Sequence, residues 1–395
     1  MRLLPANSTA TLIAIVTAAL VSLGVVMVYS ASGARAGLEE RPSESIVDVE
    51  TGLSHERVYH HSASYFGKQV SGAIVGFLLL VAIVRMPPEW IERSAPWIML
   101  ASLILMVLVV ATPLGVTVKG ARRWLRLGPI VLQPAEFAKI GLVVFMAHFL
   151  TSRRDQIQDF LRGFLPTMAI WCVFAGLVVL QKDLGTIILM GAVMLGMWLM
   201  ARMRLSHLGL LVAASIPVLI YLIFQHTYRI KRILAVFNPD EYAMTYAYQL
   251  NQSLIAIGSG GLFGRGLGDG LQKYHFLSEA HTDFIFAIVC EELGFIGAAS
   301  VVLLFLALAV LGCRVAFRAP DYFGSLVAGG LTMMLCCAAF INFFVVTGMA
   351  PTKGLALPFF TYGRSSMMAS LISIGIILNI ANYTAISRGG GRGPS

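Results

Sequence analysis

The chain has 395 residues, of which 57% are hydrophobic and only 12% charged, and its mean hydropathy is +0.80. About a quarter of the residues of a soluble domain are charged, so these values exclude a water-soluble globular protein and point to a bilayer. The net charge of +9 comes from scattered loop cations rather than a basic domain, which argues against nucleic acid as a partner.

A helix needs about 20 largely apolar residues to cross the hydrocarbon. Apolar runs read against polar interruptions give ten predicted spans, near 9–30, 67–85, 95–113, 132–150, 163–181, 184–201, 207–225, 283–313, 324–349 and 365–385. The expected fold is an all-α integral membrane protein with about ten transmembrane helices and a large extracytoplasmic loop between spans seven and eight. Residues 1–385 form one polytopic domain, and the glycine-rich 386–395 read as a flexible cytoplasmic tail. No small-residue cleavage site follows the first span, which is too long for a signal peptide and is read as retained. With the N-terminus inside, Arg85, Arg153, Arg154, Arg162, Arg202, Arg204, Arg314 and Arg318 fall in short inner segments, and an even number of spans leaves both termini in the cytoplasm. Cys172, Cys290, Cys313, Cys336 and Cys337 lie in or beside apolar stretches without a CxxC pair. They read as packing residues rather than disulfides or metal ligands.

The first outer loop, 31–66, is acidic, contains His55, His60 and His61, and matches no motif. The next carries Lys119, Arg122, Arg123 and Arg126; Arg229, Lys231 and Arg232 open a third, and Lys353 and Arg364 flank the last. Cations on the side that should be depleted of them are either solvated or a surface for an anionic ligand such as a lipid phosphate. Glu136 and Lys139 are spaced to pair on one helix face. Lys182 and Asp183 lie between two spans, and Glu291 and Glu292 fall about 12 Å into the span after Asp283. Buried charge is costly, so these residues form a structural ion-pair network or line a substrate cavity.

The long loop, 226–282, contains the run Gly258–Gly268, whose glycine density allows close approach of the main chain to a ligand. No strand precedes it, so it is not a nucleotide fingerprint; a partly re-entrant loop is expected. It leads to His281, Thr282 and Asp283 at the start of the next span. Asp283 is either a helix N-cap or a general base at the outer interface, with His281 as the weaker titratable candidate. The last loop, Pro351–Pro358 followed by Thr361–Ser366, is a shaped turn. Ser365 and Ser366 there either hold phosphate or sugar or cap the final helix.

Together these motifs resemble the SEDS family (shape, elongation, division and sporulation), the FtsW and RodA proteins. The matching pieces are Gly120-Ala121-Arg122-Arg123-Trp124, Gln133–Lys139, Gln181–Thr186, Gly258–Gly268, Glu279–Phe286, Glu291–Gly294 and Pro351–Ser366, in the family's order. The Pro-Thr-Lys-Gly-Leu form of the last loop is more similar to FtsW than to RodA. Three positions depart from the pattern: Lys119 stands for the usual Asn, Ser278 for Pro, and Arg364 for the second Gly of Tyr-Gly-Gly-Ser-Ser.

The resemblance implies an inverting peptidoglycan glycosyltransferase that polymerises lipid II at the outer face of the bacterial cytoplasmic membrane, at the division septum. Its second substrate would be undecaprenyl diphosphate-linked glycan. Its partners would be a class B penicillin-binding protein of the FtsI type and other division membrane proteins. It implies Asp283 as the catalytic base, Arg123 and Lys353 as substrate cations, and Glu136 and Lys139 as cavity residues. The residues' own chemistry adds Arg122, Lys182, His281, Ser365 and Ser366 as substrate contacts. No metal-ligand cluster or cofactor motif is legible; a divalent cation, Mg or Mn, is a candidate to share the diphosphate charge. Two rivals remain open: a lipid II flippase, which needs no outer carboxylate, and a non-catalytic division scaffold.

Overall fold

The computed structural model describes residues 8–39, 62–118, 120–128, 130–225, 227–237, 241–242, 245, 247–274, 277, 281–351 and 354–389. His55, His60, His61, Lys119, Ser278 and Lys353, all singled out above, lie outside the described residues.

Each predicted span finds a helix: α1 (Ser8–Glu39), α2 (Ser62–Arg85), α3 (Pro88–Ala111), α4 (Pro134–Ser152), α5 (Leu165–Leu180), α6 (Leu184–Met200) and α7 (Leu205–Phe224), then, beyond the α8 and α9 described below, α10 (Ile285–Arg318), α11 (Tyr322–Val346) and α12 (Arg364–Gly389). Among the described residues, eight stretches are long and apolar enough to cross a membrane; α6 and the apolar part of α7 (Leu205–Pro217) are shorter. Local signals set the starts. Pro88 and Pro134 open α3 and α4, where a missing N–H costs nothing. Asp183 and Asp321 cap α6 and α11 by accepting from Thr186 and Gly324. Helix α3 begins earlier than expected because Glu89, Glu92 and Arg93 form its polar first turns.

Helices α4, α11 and α12 are the most enclosed, whereas α2, α3, α5 and α10 turn side chains such as Phe77, Leu78, Trp97 and Phe317 outward. In lipid an outward apolar face is a matched one. Helix α7 is buried near its start, at Leu208, and is exposed along most of its length. Short connections at 86–87, 201–204 and 319–321 share one end of the bundle with the arginines of 153–162. The opposite end holds the longer loops.

The helices bear out the all-α expectation, and three features add detail to it. The basic loop after α3 is a small antiparallel sheet, β1 (Gly115–Val118), β2 (Ala121–Leu127) and β3 (Ile130–Leu132), set in an otherwise helical fold. Its turns use Gly120 and Gly128, both at positive φ. The long loop contains two helices, α8 (Thr227–Phe237) and α9 (Tyr248–Gly260). At the C-terminus α12 continues to Gly389, so residues 386–389 are helix rather than tail, and 390–395 lie outside the described residues.

The glycine-rich run approaches helix α10 itself. Helix α10 is broken at Gly294 (φ 66°, ψ −167°). The carbonyls freed there accept from the loop: Arg265 N–H bonds Glu291 O (3.0 Å) and Gly266 N–H bonds Glu292 O (3.1 Å). In return Phe295 and Ile296 N–H donate to the carbonyls of Gly261 (2.9 Å) and Leu262 (3.2 Å). A methyl on Gly264 would overlap the Glu292 carbonyl, so glycine is required by both φ and space. The two glutamates complete the seam. Glu291 accepts from Leu271 N–H (2.8 Å) and Gln272 N–H (3.2 Å). Glu292 takes Lys273 Nζ (2.6 Å), the Ser30 hydroxyl (2.7 Å) and Gly268 N–H (3.1 Å). The expected intramembrane charges thus form a closed structural network at this point, which satisfies every carboxylate before burial.

Candidate active site at the loop-rich end

The segment 281–284 is held against the loop 347–363 by main-chain bonds. Tyr362 N–H donates to His281 O (3.0 Å), and the Thr361 hydroxyl donates to Thr282 O (3.2 Å). The His281 ring stands 5.9 Å from that of Tyr362. Asn342 of α11 donates through Nδ2 to Asp283 O (2.8 Å) and Leu355 O (2.9 Å). Gln69 of α2 accepts from Gly363 N–H (3.1 Å). Within the loop Phe359 adopts φ 68°, and its burial with Phe360 against the core holds that strained backbone in place.

Asp283 is half-buried at this junction. The N-cap of α10 is Phe284 and uses no side chain, so the N-cap reading of Asp283 is not the one adopted. The carboxylate instead lies over Gly354: a methyl group there would stand 2.5 Å from Oδ2.

The two adjacent arginines of β2 separate, as alternation along a strand requires. Arg123 donates through Nε to Gln181 O (3.3 Å) and through Nη2 to Lys182 O (2.6 Å), with its guanidinium 4.0 Å from Asp183. Lys182 has φ 57° and an exposed side chain, and Asp183 is buried beneath it as the cap of α6. Arg122 turns back to the end of α3, donating to Gly115 O (3.2 Å), Val110 O (3.2 Å) and Thr112 O. It satisfies carbonyls that a helix C-terminus leaves open. The Arg123 side joins the Asp283 side through Gly185, where a methyl would stand 3.1 Å from the Leu355 side chain.

Beneath this rim, Lys139 and Glu136 pair at 2.9 Å, both buried. They line a cavity of about 20 Å³, room for about one water, with Ser366, Ser370, Ala356 and Pro358. Ser365 does not line it; its hydroxyl accepts from Gln133 N–H (3.0 Å) and fastens α12 to the start of α4. The structure therefore gathers Asp283, His281, Arg123 and the backbone of Lys182 at one rim, with Glu136, Lys139 and Ser366 below it. Lys353, the neighbour of Gly354, lies outside the described residues. Among the described residues no three His, Cys, Asp or Glu side chains group as a metal site. Arg364, the departure in the last loop, packs its stem on α2 where Gly72 leaves space: a methyl there would stand 3.2 Å from its Cγ.

Sequence reasoning missed Asn342, Gln69 and Lys273. The first two had a signal, a lone amide inside an apolar span, where an unsatisfied polar group is expensive. Lys273 had none, because its partner lies in a helix that begins beyond the loop.

Comparison with known proteins follows the same lines. Residues 46–386 match the FtsW/RodA/SpoVE cell cycle protein family. A probable peptidoglycan glycosyltransferase FtsW of Trichlorobacter lovleyi is 39% identical over 92% of this chain and 90% of its own length. Stage V sporulation protein E of Bacillus subtilis is 37% identical over 94% and 97%. Among solved structures, a chain of a peptidoglycan synthase complex superposes with a TM-score of 0.73 at 24% identity, covering 94% of this chain and 97% of that one. The rod shape determining protein RodA of Thermus thermophilus gives 0.64 at 27% identity, covering 93% and 95%.

Proposed function

The chain belongs to the FtsW/RodA/SpoVE family of cell cycle proteins and is a multi-pass membrane protein, and on that premise we propose that it is a peptidoglycan glycosyltransferase polymerising lipid II at the outer face of the bacterial cytoplasmic membrane. Asp283 removes the proton from the sugar 4-hydroxyl of an incoming lipid II. That oxygen attacks the anomeric carbon of the lipid-linked strand with inversion, and the bond to undecaprenyl diphosphate breaks. Arg123 and Lys353 balance the charge of the departing diphosphate, a task suited to fixed cations in a site screened from water. A divalent cation bound to that diphosphate would share it.

The observation that carries this reading is the placement of the Asp283 carboxylate over Gly354, next to Lys353 in the chain and joined through Gly185 to the cap that Arg123 holds. The carboxylate and Arg123 then border one rim, and Lys353, the chain neighbour of Gly354, is the second cation of this reading. The charged pair Glu136–Lys139 neutralises itself beside a cavity of about 20 Å³, which favours a lining role over a transport path for a lipid headgroup. The arginines at 153–162 and 202–204 support a reading in which the opposite end, and both termini, face the cytoplasm. The FtsW-like last loop favours division, with a class B penicillin-binding protein as partner. The test is to purify the chain with that partner, block cross-linking with a β-lactam, and supply lipid II. Un-cross-linked glycan strands are expected; lipid II moved across vesicles without polymer would favour the flippase instead.

A further inference from the structure

Asn342 sits in α11 with 1% of its surface exposed. An amide inside an apolar span is costly unless protein satisfies it; here both N–H groups of Nδ2 are bonded, while the buried Oδ1 has no partner among the described residues. They go to two different loops: one to the carbonyl of Asp283 (2.8 Å), the other to the carbonyl of Leu355 (2.9 Å). Leu355 follows Gly354, on which the Asp283 carboxylate lies. One side chain on an enclosed helix therefore fixes the backbone of Asp283 and also the surface that its carboxylate rests on. The other bonds at the junction tie residues 281 and 282 to Thr361 and Tyr362, farther along the loop.

We propose that Asn342 is a positioning residue for Asp283, setting the distance between that carboxylate and the bend at Gly354 to Leu355. The inference rests on the reading of Asp283 as general base. Without the amide the two carbonyls lose their common donor, the helix start and the loop separate, and the base moves from the hydroxyl it serves. A displacement of about 1 Å at a reacting group can cost about 100-fold in rate.

The experiment compares wild type, Asp283→Asn, Asn342→Ala and the double variant, each purified with the penicillin-binding partner and given radiolabelled lipid II. Asn342→Ala is expected to lower kcat by about 10- to 100-fold with KM little changed. Added to Asp283→Asn it should cause no further loss, because residues acting as one unit are not additive. A wild-type kcat for Asn342→Ala overturns the inference. So does an equal fractional loss with and without Asp283, which would mark a merely structural residue. If the alanine variant yields no folded protein, Asn342→Gln carries the test, since it keeps the amide but lengthens its stem. It should show the same fall in kcat, and an unchanged kcat overturns the inference. Full activity of Asp283→Asn is a separate result: it removes the general-base reading itself.

Discussion

A carboxylate that acts as a base needs open space on the side from which its substrate arrives. Gly354 lets the Asp283 carboxylate rest against the last loop without being pushed into that space, because a methyl there would stand 2.5 Å from Oδ2. Gly354→Ala should therefore cost at least about tenfold in polymerisation rate, toward the range typical of lost acid–base catalysis. Its melting temperature should stay near wild type; an unchanged rate would remove the carboxylate from this position. The two arginines of β2 are expected to separate by readout. Arg122→Ala deprives two carbonyls at the end of α3 and one at the start of β1 of a donor, which should cost about 1–3 kcal/mol in stability, read by thermal unfolding in detergent, and little in rate per folded molecule. Arg123→Ala should instead lower kcat for polymerisation, because it removes charge balance at the departing diphosphate, with Arg123→Lys recovering part. In the sequence both neighbours were candidate substrate cations, and the resemblance singled out Arg123. Their separate contacts come from the strand, and a seven-residue strand rich in arginine gives no apolar alternation to read.

At the scale of elements, apolar length made the spans legible, whereas the break in α10 was not. Leu293-Gly294-Phe295 lies inside a continuous apolar run, and the loop residues that complete the break are about thirty positions earlier in the chain. The same distance hid Lys273. Its ammonium and the Glu292 carboxylate are both buried, so Lys273→Met should destabilise the protein by about 3–5 kcal/mol. Glu292→Gln in that background should restore part of the loss in a double-mutant cycle followed by thermal unfolding. Independent losses would mean that the pair does not act as one. Packing of α2 on α12 offers a second coupled pair. Gly72 and Arg364 fit because one lacks the side chain that the other has in place of the family's glycine. Gly72→Ala should lower stability more beside Arg364 than in Arg364→Gly, where only the backbone contact at Cα (3.0 Å) remains, and equal losses would show that the arginine stem does not touch it.

For the molecule as a whole, two ends of unlike chemistry follow from one bundle. One end has short connections and a concentration of arginines, and the other has the sheet, the seam along α10 and the shaped last loop. The membrane class and the order of helices were readable from composition and hydropathy. The site was readable as a set of motifs but not as contacts, because it is assembled from β2, the start of α6, the residues before α10 and the loop before α12. Sidedness is open to direct labelling in a cysteine-free background. Leu271→Cys, at an exposed position of the loop-rich end, should react with an impermeant maleimide from outside intact cells, and Asp155→Cys only after permeabilisation. The most direct measurement is polymerisation of lipid II by Asp283→Asn in complex with the penicillin-binding partner, alongside lipid II binding by the same preparation. Polymer should fall by about 100- to 10,000-fold with binding retained; polymer made at the wild-type rate would contradict chemistry at this carboxylate.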